Sequence, residues 1–295
     1  MSSFALPWRP RHESSGCQAA RPIRRSVALK ICVLVKEVPD AAVRKRLDPV
    51  SGRLDRGGER TLNPYDTHAI EAAMAIREGG VVEVGEVVAV TMGPEGAVRA
   101  LHKAVSLGVD RSVLLCDDVL AGSDVAATGY ALAAVLAREA PDLVLLGQQS
   151  DDGECYTVGA IVADHLAMPS LTQVIKLDVQ AGDGGVVLRC ERQAEYGYDT
   201  VEVALPAVVS VGDAINEPRY PSLKAIMGAK KKPLETVGAA ECGIDVGRVG
   251  GEGSAARWSG SKEPPRKPPG LLIEDEDTEA TVAQIVAWLD ERKLI

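Results

Sequence analysis

The stretch Pro141-Asp142-Leu143-Val144-Leu145-Leu146-Gly147-Gln148-Gln149-Ser150-Asp151-Asp152-Gly153-Glu154-Cys155-Tyr156-Thr157-Val158-Gly159 narrows the folds open to this chain more than any other. Leu143 to Leu146 form an unbroken apolar run, the pattern of a parallel strand buried on both faces. A polar, glycine-bounded loop follows, and Ala160-Ile161-Val162-Ala163-Asp164-His165-Leu166 then shows helical spacing. In an open α/β sheet, ligands bind where loops leave the carboxyl ends of strands. A helix amino terminus there offers free N–H groups and a positive dipole end to an anion. The loop therefore reads as a nucleotide-phosphate cradle, with a plain polar βα connection as the alternative.

The rest of the chain alternates in the same way. Ile31 to Val35 reads as a first strand, and Leu47 to Asp55 as a hairpin-like excursion. Asn63-Pro64 opens a helix, Asn as N-cap and Pro at the first helical position, which Gly79-Gly80 stops. Strands at Glu86–Thr91 and Ser112–Cys116 enclose a helix whose Val98, Leu101 and Val105 share one face, and Asp124 begins another helix. This order predicts a doubly wound, mostly parallel, Rossmann-like sheet. Val174–Gln180, Val186–Gln193 and Thr200–Leu205 read as a small antiparallel addition, and Ala207–Val211 as a return to a buried strand.

Two ends fall outside that pattern. Residues 1–28 carry five arginines and one acid without periodicity or a secretory apolar core. They are expected to be a disordered extension, either a transit peptide or sequence upstream of the true start. The nucleotide-binding domain is expected over 29–232. Residues 233–295 are expected to be an extended C-terminal arm: a structureless Gly- and Pro-rich linker to about 270, then a helix over Thr278–Glu291 with an apolar stripe of Val282, Ile285, Val286 and Leu289. Glu274 to Asp277 would stand at its positive dipole end.

Composition excludes several functions. The 295 residues carry a net charge of −9, with basic clusters confined to the first 25 residues and Lys230 to Lys232, so nucleic acid is not an expected partner. No apolar run reaches the roughly 20 residues of a membrane-spanning helix. Six cysteines without a C-x-x-C pair argue against zinc or iron–sulfur and for a reducing, cytoplasmic-type compartment. Four histidines without a Ser-His-Asp or Cys-His pattern argue against a hydrolase. No G-x-G-x-x-G follows the first strand, which excludes a standard dinucleotide site, and Gly250-Gly251-Glu252-Gly253 reads as flexible linker. Asp151, Asp152 and Glu154 read as caps for the following helix, with magnesium ligation as the alternative. Leu223, Ile226 and Met227, at i, i+3 and i+4, pack a helix onto its own sheet or form an exposed anchor.

Five blocks carry a resemblance: Val35-Lys36-x-Val38-Pro39-Asp40; Asn63-Pro64-Tyr65-Asp66; Met92-Gly93-Pro94; Leu145-Leu146-Gly147-x-Gln149-x-x-Asp152; and Asn216-Glu217-Pro218-Arg219-Tyr220-Pro221-Ser222-Leu223-Lys224-x-Ile226-Met227-x-Ala229-Lys230-Lys231-Lys232. Over about residues 29 to 235 the chain resembles the electron transfer flavoprotein β subunit. The resemblance implies a heterodimer whose α subunit holds the redox-active FAD, while this subunit binds AMP and turns over no substrate itself. The matching positions are Leu34, Asn63, Pro64, Tyr65, Asp66, Met92 and the loop from Gly147 to Val158. Leu223, with Tyr220, Ile226 and Met227, would dock flavin dehydrogenases, and electrons would pass on to an electron transfer flavoprotein–quinone oxidoreductase. The implied compartment is the bacterial cytoplasm, or the mitochondrial matrix if residues 1–28 are a transit peptide. Thr157 and Tyr156 depart from the family pattern. Asp124-Val125-Ala126-Ala127-Thr128 resembles a segment of electron-bifurcating members, which hold a second FAD in place of AMP. A stand-alone adenine-nucleotide enzyme or stress-type domain is the alternative from another class.

Overall fold

Alternating side chains divide the core into two layers on either side of one sheet. The computed structural model describes residues 28–295 except 183, 258–260, 264, 266–269, 271 and 274–276. The expected extension at residues 1–28 thus lies, but for Ala28, outside the described residues. In β1 (Leu29–Leu34) Ile31 and Val33 point into one layer, and Cys32 and Leu34 into the other. β6 (Leu143–Gly147) and β10 (Ala207–Val211) alternate in the same way and are buried throughout.

After β1 the short strands β2 (Glu37–Pro39) and β3 (Arg60–Leu62) pair antiparallel, and between them an isolated bridge joins Leu47 to Leu54. Then follow α1 (Pro64–Gly79), β4 (Val84–Met92), α2 (Val98–Ser106), β5 (Arg111–Leu115), α3 (Val125–Glu139), β6 and α4 (Val158–Leu166). Next come β7 (Ser170–Gly182), β8 (Gly185–Ala194), β9 (Gly197–Ala204), β10, α5 (Leu223–Ala229), β11 (Leu234–Val237), α6 (Gly250–Gly253) and α7 (Thr278–Glu291).

The main sheet runs β11-β5-β4-β1-β6-β10-β7-β8-β9, parallel from β11 to β7 and antiparallel from β7 to β9. α1 and α2 cover one layer and α3 and α4 the other. This is the expected doubly wound α/β fold with an antiparallel addition. The chain leaves β1 toward β4 and β5, then crosses back through α3 to β6 on the opposite side of β1. That reversal opens a crevice at the carboxyl ends of β1 and β6, where such sheets place their ligands.

The structureless linker expected from 233 is corrected over its first part. β11 adds to the sheet beside β5, and Val237, Ala239, Ile244 and Val249 are buried against α3 and the sheet. The sequence pattern missed this because a four-residue edge strand among glycines has no periodicity to show. Gly250 is also not a flexible joint: its φ is +70°, and an added Cβ would lie 2.5 Å from the Val119 carbonyl oxygen. Much of 264–270 lies outside the described residues, as do Glu274 to Glu276. α7 spans the predicted residues, with Asp277 accepting from the Glu279 N–H at 2.9 Å.

Candidate functional site

Asn63 and Asp66, at the amino end of α1, tie the carboxyl ends of β1 and β6 together. Asp66 is buried and accepts from the Lys36 backbone N–H at 2.8 Å, Asn63 Nδ2 at 2.9 Å and the Gly147 N–H at 3.3 Å. Burial pushes its carboxyl up to about 7, against these donors and the Lys36 charge. Asn63 occupies the N-cap position, but its side chain accepts from no helix backbone N–H and, besides Asp66, bonds the β6 loop. Its Nδ2 donates to the Gln149 carbonyl at 2.9 Å and its Oδ1 accepts from the Asp151 N–H at 3.0 Å. The α1 turn lies so close to β6 that a Cβ on Gly147 would meet Tyr65 at 2.6 Å.

The loop acids do not cap α4. The N-cap is Thr157, without a side-chain bond, and the carboxylates turn back to the β1 side. Asp152 meets Lys36 Nζ at 2.6 Å and Arg56 Nε and Nη2 at 2.9 and 2.7 Å. Burial alone would raise its carboxyl, yet the Lys36 ammonium and the Arg56 guanidinium hold it below the ordinary range. Asp151 takes Lys45 Nζ at 2.9 Å, and Lys36 also reaches Ser150 Oγ at 3.1 Å. The side chains of Asp151 and Asp152 are taken up by these basic groups, and neither bonds an α4 N–H. Among the described residues no group of three or more His, Cys, Asp and Glu side chains is placed to hold a metal ion.

Asp151 and Asp152 are engaged by cations, and Glu154 is exposed with no ion pair among the described residues, which leaves the backbone of the loop's outer half to meet an anion. Glu154 and Tyr156 have φ of +47° and +55°, and Thr157 returns to the right-handed region. Such alternation turns successive N–H groups toward one point and forms an anion-binding nest. Among the described residues, no hydrogen bond engages the backbone N–H groups of Cys155, Tyr156, Thr157 or Val158. Gln149 Oε1 is buried without a partner in the same loop. The donors and the orphaned acceptor fit a group that carries both a phosphate and hydrogen-bond donors.

Leu34, Met92 and Val158 pack into one apolar layer beneath this loop. Pro64, Gly153, Glu154 and Cys155 are exposed at its rim. The Gln148 side chain instead lies over Gly212, and its N–H donates to Val211. Sequence reasoning missed Lys45 and Arg56, which reach the loop from 106 and 96 residues away. No local pattern in the sequence shows that the Lys36 ammonium neutralises Asp152.

Tyr220, just before α5, and Leu223, Ile226 and Met227 on it form a separate patch. Their exposures of 97, 80, 49 and 78 % rule out the reading in which they pack onto their own sheet. Only Ala229 of α5 is buried, in the layer that α2 covers. Ser222 caps the helix by accepting from the Ala225 N–H at 3.1 Å.

The fold and the crevice define a doubly wound α/β chain with a glycine-bounded loop at its switch point and an exposed apolar helix beyond it. The chain belongs to the electron transfer flavoprotein domain family, whose model matches residues 52–242. It is 40% identical over 269 residues to an electron transfer flavoprotein subunit beta of Mycobacterium leprae, covering 90% of this chain and 99% of the relative. The corresponding subunit of Megasphaera elsdenii is 33% identical over 90% of this chain and 100% of its own length. A caffeyl-CoA reductase-Etf complex subunit of Acetobacterium woodii is 34% identical, with 90% and 100% covered.

Proposed function

We propose that this chain is the β subunit of a heterodimeric electron transfer flavoprotein and that its switch-point loop binds AMP as a structural nucleotide. The observation that carries the site is the buried, partnerless Gln149 Oε1 beside four unengaged N–H groups. Cys155 to Val158 would hold the phosphate through backbone donors, with Asn63 and Asp66 fixing the loop's position. FAD, held mainly by an α subunit, supplies the electron chemistry, and this chain contributes binding and orientation.

The exposed patch on α5 supports a docking role toward flavin dehydrogenases, with a quinone oxidoreductase as acceptor. Contiguous apolar side chains of this kind mark interaction sites, and Lys224 and Lys230 to Lys232 around them suit steering of an acidic partner. The reading with a second FAD draws on Asp124, but that carboxylate already accepts from the Ala127 N–H at 2.8 Å and the Ala256 N–H at 2.7 Å. A structural cap accounts for it.

The test is chromatography of the nucleotides released when the complex, co-expressed with its α subunit, is denatured. One AMP per heterodimer beside the FAD is expected. A second FAD would establish the bifurcating form, and no adenine nucleotide beyond one FAD would remove the role given to the loop.

A further inference from the structure

α5 has seven residues, of which only Ala229 is buried. A helix this short is marginal in water, and Leu223 and Met227, 80 and 78 % exposed, make no core contact that could hold it. Its order comes from packing on α2 and from the chain on either side. On the amino side stand two anchors, both on one face of α1. Asn216 Nδ2 donates to the His68 carbonyl at 3.0 Å, and His68 Nδ1 lies 3.1 Å from the Asn216 carbonyl oxygen and Oδ1. Three residues on, Arg219 binds two carboxylates at once. Its Nε and Nη2 donate to Glu71 at 2.7 and 3.0 Å, and its Nη1 and Nη2 to Glu78 at 2.6 and 3.0 Å. Its backbone N–H adds a third bond to Glu71 at 3.1 Å.

We infer that Arg219 is a positioning residue for partner docking: by locking segment 216–222 to α1, it presents the apolar face of α5 already in the pose that a partner engages. The inference rests on the docking reading above. A planar guanidinium can form two forks in fixed directions, whereas a lysine is a point charge on a flexible stem and can form neither. The Glu71 side chain is only 15 % exposed, so solvent screens this fork less than a surface pair. Hydrogen bonds from Arg219 hold both Glu71 and Glu78 below the ordinary carboxylate range, so both arms of the clamp stay charged further into acid than free glutamates would. A loop that must be ordered on binding weakens association, and one ordered beforehand does not.

The experiment uses the co-expressed heterodimer and an acyl-CoA dehydrogenase that reduces it. Arg219→Lys is expected to raise KM for the flavoprotein about tenfold, which is about 1.4 kcal/mol, with kcat unchanged. The melting temperature should stay within about 2 °C, because the contact is peripheral. Hydrogen exchange over residues 220–229 should accelerate, a change a purely global role would not confine to that segment. Glu71→Gln should reproduce the effect, and the double variant should be no worse than either single one, since both remove the same fork. Glu78→Gln spares the Glu71 fork; its smaller KM rise keeps the test available if Arg219→Lys fails to assemble. Leu223→Ala separates the two readings. If it raises KM while Arg219→Lys changes neither KM nor exchange, positioning is overturned and docking stands. If Leu223→Ala leaves KM unchanged, docking fails and the inference with it. A melting temperature that falls as KM rises in Arg219→Lys would also overturn it.

Discussion

Two residues at the crevice, Gly147 and Asp66, show how tightly the local geometry is set. The last residue of β6 has no side chain because α1 occupies the space: a Cβ there would lie 2.6 Å from Tyr65 and 2.7 Å from Asp66 Oδ1. Gly147→Ala must push the α1 turn away from the sheet, an overpacking cost of about 1–3 kcal/mol. Lower stability in urea and loss of bound nucleotide are the expected results. Asp66 adds a pH dependence of definite sign. Its carboxyl is pushed up to about 7 in the folded chain by burial and returns to about 3.9 on unfolding. Between these values the native chain holds a proton that the unfolded chain has lost, so this group's stabilising contribution is full below about pH 4 and gone above about 7. The carboxylates held low, Glu71 and Glu78 among them, act oppositely, contributing above their ordinary range and losing that contribution in acid. Urea midpoints should therefore decline from pH 5 to pH 8, and Asp66→Asn should flatten that decline at a general cost of about 1–3 kcal/mol. An equal slope in the variant would show that another group carries it.

At the scale of elements, what the sequence revealed depended on repetition. β1, β6 and β10 were legible because buried parallel strands are continuous apolar runs, and α7 because its apolar stripe repeats over the whole helix. β11 was not, since a short edge strand repeats nothing. The loop after β6 was placed correctly at the switch point, but its charges were assigned to α4. Their partners are Lys36, just past the end of β1, and Lys45 and Arg56, on the excursion between β2 and β3, and no local pattern links Asp152 to Arg56, 96 residues away. For α5, spacing alone left packing and exposure open, and the exposure of Leu223 decides it. Leu223→Ala should shift stability by only about 0.5 kcal/mol, against about 2–5 kcal/mol for a buried leucine. Electron transfer from an acyl-CoA dehydrogenase should slow severalfold while bound flavin is retained. An early-melting variant with normal transfer would contradict the docking role.

The whole molecule divides at the end of its packed layers. The chain up to Ala256 is fastened to the domain: Ser254 Oγ accepts from the Asp124 N–H at 2.8 Å, and the Ala256 N–H reaches the same aspartate. Beyond it, α7 carries Val282, Ile285 and Val286 at 54, 43 and 48 % exposure and has no buried residue. A helix of this length, apolar on one side and exposed there, gains too little from its own propensity to account for that stripe. The stripe is accounted for if a second subunit covers it, as in the heterodimer proposed here. A chain ending at Arg257 keeps every buried residue of both layers and the contacts of Ser254 and Ala256. It should melt close to the full chain, because no described residue beyond Arg257 is buried. Co-expressed with the α subunit, however, it should recover far less of that subunit and of FAD than the full chain does, measured by affinity capture and flavin absorbance. Capture of α subunit and flavin at the full-chain level would show that the helix is dispensable for assembly and that the heterodimer is held by the sheet domain alone.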